Sequence, residues 1–341
     1  MNEEQTISNI LIIKPGAIGD LLELTPVIRA LSTKYPGVRI SLMVGTYTTS
    51  TLFQHNPHVN EVIVFDKRGE HKTLSSLLKL WKGLRKKKFD LIIHFQRSNL
   101  KTWILASAAL PCRILIYHKS RKRDVHVLDN YLETIAPLGI HDQNRTLELY
   151  TGKEDDKFAD DLFSREGYSS GIIIAFNPGA SNPIKQWSAE HFSTLADNLA
   201  EKISAKIIII GGKEDAALAA SIAGAAKKAK PLVLAGQTTL LELGAILRKC
   251  DLLVSGDTGP LHLATAVGTR VLGLFGSVDP ARTGPVGIGH RVIQAKNVPC
   301  VPCRSNTCTN AVYLDCMKSI SIDDVAETVL DMLREVHDVT V

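Results

Sequence analysis

No apolar run in this 341-residue chain approaches the ~18 residues that a membrane-crossing helix needs. The start, Met1-Asn-Glu-Glu-Gln, is acidic and polar, where a secretory signal would be basic and then apolar. The expectation is a cytoplasmic protein whose membrane contact, if any, is peripheral. Low-complexity segments and short internal repeats are absent, which sets aside solenoids and disordered tails. Neither charge dominates: a formal +5 favours anionic ligands without arguing for nucleic acid. Cysteines number only six, too few for a disulfide scaffold of this size. Cys112 and Cys250 stand alone near apolar segments and read as small core residues. The G-x-G-x-x-G dinucleotide fingerprint is missing too. The first glycine turn, Gly16-Ala-Ile-Gly-Asp20, has the wrong spacing, and no acidic residue ends the second strand.

What the chain does have is a long alternation of short β-branched runs and helical patterns. The runs are Ile10–Ile13, Arg39–Val44, Val62–Phe65, Leu91–Phe95 and Ile114–Tyr117, then Ile172–Phe176, Ile207–Ile210, Leu232–Leu234, Leu252–Val254 and Val271–Phe275. Continuous apolar strands separated by helices indicate parallel sheets covered on both faces. The length suits two α/β domains, and the polar stretch after Tyr150 separates them. The expected organisation is two Rossmann-like, doubly wound domains, 1–165 and 166–320, facing a central cleft, followed by a helical segment, 321–341. Ligands of such sheets lie at the carboxyl ends of the strands.

The most informative stretch is Ser255-Gly-Asp-Thr-Gly-Pro-Leu-His-Leu263. It follows a buried strand and leads into a helix whose first turn can meet a ligand. Unpaired N–H groups and the positive end of the helix dipole suit a diphosphate there. Gly256 and Gly259 allow close approach, Asp257 and Thr258 can cap the helix or bind a hydroxyl, and His262 sits one turn on. Asp20 reads either as a helix N-cap or as a general base. Lys185, in the loop Asn177-Pro-Gly-Ala-Ser-Asn-Pro-Ile-Lys-Gln-Trp187, reads as solvated or as a phosphate partner, and Trp187 as a packing anchor. Glu214 and Asp215, after Gly211-Gly212, suit a ribose hydroxyl or the first turn of a helix. A further glycine-rich loop, Gly273 to Pro285, follows the last strand read. The basic amphipathic segment Leu74 to Lys88 reads as a sheet cover before a membrane-surface helix. With the patch Lys119-Ser-Arg-Lys-Arg123, it suggests an anionic acceptor or membrane surface. The spacing Cys300-x2-Cys303-x4-Cys308-x7-Cys316 leaves a metal site and a free-thiol loop both open; no metal is expected in the chemistry.

Taken together these motifs resemble glycosyltransferase family 9, the heptosyltransferases, over nearly the whole chain. The resemblance rests on Gly16-Ala-Ile-Gly-Asp20, Asn177-Pro-Gly-Ala180 with Lys185-Gln-Trp187, and Ser255-Gly-Asp-Thr-Gly-Pro-Leu-His262. Leu274-Phe-Gly-Ser-Val-Asp-Pro280 and the cysteine tail with Met317 complete it. The tail is most similar to that of the second heptosyltransferase of the lipopolysaccharide pathway. The resemblance implies a GT-B fold, with the acceptor on the first domain and ADP-heptose on the second. It implies an inverting transfer that needs no metal or other cofactor. It makes Asp20 the base, with Lys185 and the N–H groups of Thr258 and Gly259 stabilising the departing ADP. Asp257, His262 and Ser181 would hold the donor, and Glu214 or Asp215 its ribose. Ala180 ahead of Ser181 departs from relatives with hydroxyls at both positions, which puts one phosphate contact in question. Acceptor contacts fall to Gly16, Gly19, Lys119, Arg121 and Arg123. The C-terminal helix, Ile322 to Val336, would cross back to the first domain. The implied partners are the sugar nucleotide and an anionic lipopolysaccharide core at the inner membrane. Competing readings are a same-fold transferase of another nucleotide sugar, a sugar-nucleotide epimerase, and a binding protein stabilised by metal at the four cysteines.

Overall fold

The computed structural model describes residues 7–96, 100–118 and 125–336. The chain divides into two compact units, Met1–Tyr150 and Thr151–Val341. The division falls earlier than the expected boundary at 165, because the helix Lys153–Arg165 packs on the helix Leu240–Arg248 of the second unit. Its acidic first turn, Glu154, Asp155 and Asp156, suits a helix N-terminus, and on the page it reads as linker.

The first unit holds a parallel sheet of β1 (Asn9–Ile13), β2 (Arg39–Val44), β3 (Glu61–Val64), β4 (Leu91–His94) and β5 (Arg113–Ile116), in the order β3-β2-β1-β4-β5. Ile10 to Ile13 are fully buried, as a central strand covered on both faces requires. The basic helix Leu74–Lys87 packs Leu77 and Leu84 into a cluster with Ile63, Phe89 and Ile92. Leu74 and Leu78 stay exposed.

The second unit repeats the plan. β6 (Ile173–Asn177), β7 (Lys206–Ile209), β8 (Leu232–Val233), β9 (Leu252–Gly256), β10 (Arg270–Phe275) and β11 (Arg291–Gln294) form a parallel sheet ordered β11-β10-β9-β6-β7-β8. All ten strands read from the sequence are present. β11 is the addition: four residues at the sheet edge with polar ends, too short for an apolar signal. In both sheets the strand order reverses beside the first strand, between β1 and β4 and between β6 and β9, where doubly wound sheets bind ligands.

The C-terminal helix, Ile322–Arg334, belongs to the second unit. Its N-cap Ser321 accepts a hydrogen bond from the Asp324 N–H. Val325, Val329, Leu330, Met332 and Leu333 join the core around Phe192 and Leu195. Glu335 pairs with Arg270 and Arg291, tying the helix end to β10 and β11. The helix places its apolar face in the second unit's own core. No described helix is long and apolar enough to cross a membrane.

Candidate functional site

In the first unit the loop after β1 carries the candidate base. Asp20 lies one turn inside the helix Ile18–Leu22, with Ala17 as N-cap. Asp20 is therefore not the cap itself, and its carboxylate reaches back to the Ala17 N–H, 3.2 Å away. The same oxygen, Oδ2, accepts from Lys14 Nζ at 2.9 Å, and Oδ1 accepts from the Tyr131 hydroxyl at 3.3 Å. The Lys14 side chain is 8% exposed and that of Asp20 37%. Tyr131, from the helix Val127–Ile135, is buried and packs edge-on against Phe95 and Tyr117. Burial first, then the charges of Asp20 and Glu23, hold its phenol well above the ordinary tyrosine range, so it stays a donor. Gly16 (φ +149°) opens this turn and Gly19 is buried in the short helix.

A cavity of 290 Å³ adjoins the turn, lined by Pro15, Gly16, Gly45, Thr46 and the Phe65–Arg68 segment that follows β3. Gly45 is required here: a Cβ would stand 2.3 Å from the Pro15 carbonyl oxygen. Lys67 and Arg68 are exposed at the rim of this cavity. The acceptor candidates Lys119, Arg121 and Arg123 lie outside the described residues.

In the second unit the loops after β6 and β9 meet at the switch point. Asn177 and Ser255 are register partners. The buried Asn177 amide donates to Ser255 Oγ (3.0 Å), Thr258 Oγ1 (2.9 Å) and the Gly179 carbonyl (3.2 Å). Lys185 ends the turn Pro183–Lys185, which Asn182 caps through the Ile184 N–H. Its ammonium lies 2.6 Å from Asp257 Oδ2, with the lysine side chain 25% exposed and the aspartate 11%. Gly256 permits the approach, since a Cβ would stand 2.8 Å from the Lys185 carbonyl oxygen.

The helix Gly259–Ala266 starts beside this pair with no side-chain cap. The Thr258 hydroxyl is engaged with Asn177 and Ser255 instead. Pro260 has no N–H and the Leu261 N–H donates to the Thr258 carbonyl, so the Gly259 N–H is the first-turn donor that can meet a ligand. His262 is buried in this helix beside Leu261 and Leu263. Asp215 accepts from the Gly212 N–H at 2.9 Å and lies against Gly179, where a Cβ would be 2.3 Å from its carboxylate. Glu214 and Ser181 are exposed. Trp187 is buried, donating to the Ile320 carbonyl.

The four clustered cysteines are free thiols that line a cavity of 140 Å³ with Ile184, Ser277 and Asp315. Among the described residues no group of three metal-ligating side chains is arranged to hold an ion. The cysteine segment props the loops that carry Lys185 and Ser277: the Asn182 amide donates to the Asn306 carbonyl and the Arg304 N–H to the Ser277 carbonyl. Arg304 also pairs with Asp279.

Lys14, Tyr131 and Asn177 are the contributors that sequence reasoning did not assign to the site. Asn177 stood inside a quoted motif. A lysine ending an apolar strand is itself a signal, because such a position is buried.

The family model of glycosyltransferase family 9 (heptosyltransferase) matches residues 77–314. The lipopolysaccharide core heptosyltransferase OpsX of Haemophilus influenzae is 28% identical over 295 residues, 81% of each chain. Among solved structures, a family 9 glycosyltransferase from Veillonella parvula superposes with a TM-score of 0.86 at 24% identity, covering 96% of this chain and 98% of its own. The ADP-heptose LPS heptosyltransferase II of Escherichia coli does so with 0.78 at 22%, covering 96% and 99%.

Proposed function

Since the chain belongs to glycosyltransferase family 9, the heptosyltransferases, we propose that it transfers a heptose from ADP-heptose to the lipopolysaccharide core, inverting the anomeric carbon. The core specificity of OpsX and the donor of the E. coli relative support this reading. The observation that carries it is the polarity of two ion pairs. Asp20 is the more exposed member of its pair and Lys185 of its own. A base is thus offered by one unit and a cation by the other.

In this mechanism the acceptor hydroxyl attacks the anomeric carbon as its proton passes to Asp20. The bond from that carbon to the phosphate oxygen breaks, and ADP leaves with the electron pair. Lys185 and the N–H groups of Thr258 and Gly259 neutralise the charge that develops on the diphosphate. Lys185 exchanges its bond to Asp257 for the phosphate, while Asp257, His262 and Ser181 hold the rest of the donor. Glu214 is free for the ribose; Asp215 is committed to the Gly212 N–H. Gly16, Gly19, Lys67 and Arg68 face the anionic acceptor, joined by Lys119, Arg121 and Arg123. The reaction takes place at the cytoplasmic face of the inner membrane, where the core acceptor is anchored. No metal is required, because side chains and a helix terminus supply the positive charge.

Thermal shifts with ADP, UDP and GDP, followed by transfer to a purified heptose-deficient core, test this. Stabilisation by ADP and a product heavier by one heptose are expected. Stabilisation by UDP or GDP alone would keep the fold and remove the heptose, and release of an isomerised sugar nucleotide without acceptor would make the protein an epimerase.

A further inference from the structure

We propose that Lys14 and Tyr131 are positioning residues for Asp20, holding its carboxylate in place and aimed at the acceptor hydroxyl. The inference rests on the reading of Asp20 as the base and goes beyond it, to the groups that orient this carboxylate.

Lys14 directly follows β1, whose residues Ile10 to Ile13 are fully buried, and is itself only 6% exposed. A lysine in this place is costly unless its ammonium is paired, and its partner is Asp20 Oδ2 at 2.9 Å. The ammonium also stands 5.4 Å from the centre of the Tyr131 ring, within reach of the aromatic face. Tyr131 brings its hydroxyl to the other carboxylate oxygen from a helix 111 residues along the chain. With the Ala17 N–H on Oδ2, the carboxylate is gripped on both oxygens. Together the three donors fix its rotamer. Lone pairs on the exposed side stay open to an incoming hydroxyl.

The other ionisable groups around this cluster are Glu23 and Tyr117, which face Tyr131, and Asp66, Lys67 and Arg68 across the adjoining cavity. Among them Lys14 is the buried cation and Glu23 a buried carboxylate.

The test compares kcat and KM for the parent and for Lys14→Met, Lys14→Arg, Tyr131→Phe and Asp20→Asn, with folding checked by circular dichroism. Without the ammonium the carboxylate can turn away from its aimed position. Lys14→Met is therefore expected to lower kcat about tenfold or more with KM for the donor unchanged, and Lys14→Arg, which keeps a donor there, to recover part of the loss. Tyr131→Phe lowers kcat by less, and decides the matter alone if Lys14→Met does not fold. Parent-like kcat in the folded variants, with Asp20→Asn inactive, overturns the positioning role and leaves the base in place. Parent-like turnover by Asp20→Asn removes the base reading, and this inference with it.

Discussion

The two units each set a lysine against an aspartate at the carboxyl end of a central strand, and they orient the pair in opposite senses. In the first, the cation is the buried member (8% against 37% for Asp20). In the second, the aspartate is the more buried (11% against 25% for Lys185). The backbone plan around both is the same: a parallel sheet, a strand-order reversal, and a loop leaving the first strand. The difference lies in which side chain the strand itself buries. The chain buries Lys14 directly after β1, so the short helix Ile18–Leu22 supplies the acid. β9 leads directly into Asp257, so the neighbouring loop supplies the ammonium. An ion pair of this kind contributes little net stability, since desolvation offsets most of the attraction. What it fixes is the sign of the charge left for a ligand.

Removing the outward charge from each unit should separate the two roles. Asp20→Ala is expected to lower kcat by about 100-fold or more, the usual contribution of a general base. ADP affinity measured by calorimetry should stay within about twofold, because no nucleotide contact is assigned to that unit. Turnover near the parent value would show that the first pair is structural only. Lys185→Ala should act on both quantities. Loss of a charge-assisted hydrogen bond of about 1.5–3 kcal/mol weakens ADP binding by roughly 10- to 150-fold and slows transfer as well. An unchanged ADP affinity would break the contrast from the other side.

Much of this is legible in the sequence itself. Continuous β-branched runs marked ten strands, and the glycine-rich turns after Ile13, Phe176 and Val254 marked the loops that carry Asp20, Lys185 and Asp257. What stayed hidden depended on partners distant in sequence. Tyr131 looks like any helical aromatic until its hydroxyl is seen on Asp20, and Lys14 looks solvated until the burial of β1 is counted. β11 lacks the length for an apolar pattern. The C-terminal helix displays an apolar face, but sequence does not say which core receives it. The compact units divide at Tyr150, ahead of the expected 165, because an acidic helical turn and a linker look alike in sequence.

The second pair can also be disturbed without touching either charge. Gly256→Ala places a methyl group 2.8 Å from the Lys185 carbonyl oxygen, an approach that backbone cannot tolerate without moving. The lysine turn should shift, with a stability loss of about 1–3 kcal/mol read from denaturant unfolding. A fall in ADP affinity smaller than that of Lys185→Ala should accompany it. An affinity loss as large as that of the lysine variant would mean that the turn, more than the ammonium, makes the site. Parent-like stability and affinity would mean that the loop is looser than its packing on β9 indicates.

The smallest expected effect comes from stripping metal. If Lys185 and the open helix start provide the positive charge for the diphosphate, a chelator has nothing to remove from the reaction. Transfer by protein dialysed against chelator should then match that of untreated protein within experimental error. The four thiols make this a real contest, since they share one cavity and their segment is hydrogen-bonded to the neighbouring loops at Asn182 and Ser277. An ion held there could act at a distance, by stiffening the lysine turn. Activity lost on chelation, together with a stoichiometric metal that disappears in a Cys300→Ser, Cys303→Ser variant, would establish that role. The contrast between the units would then need a third term: an acid set by a buried lysine in one, and a lysine set by a metal-braced loop in the other.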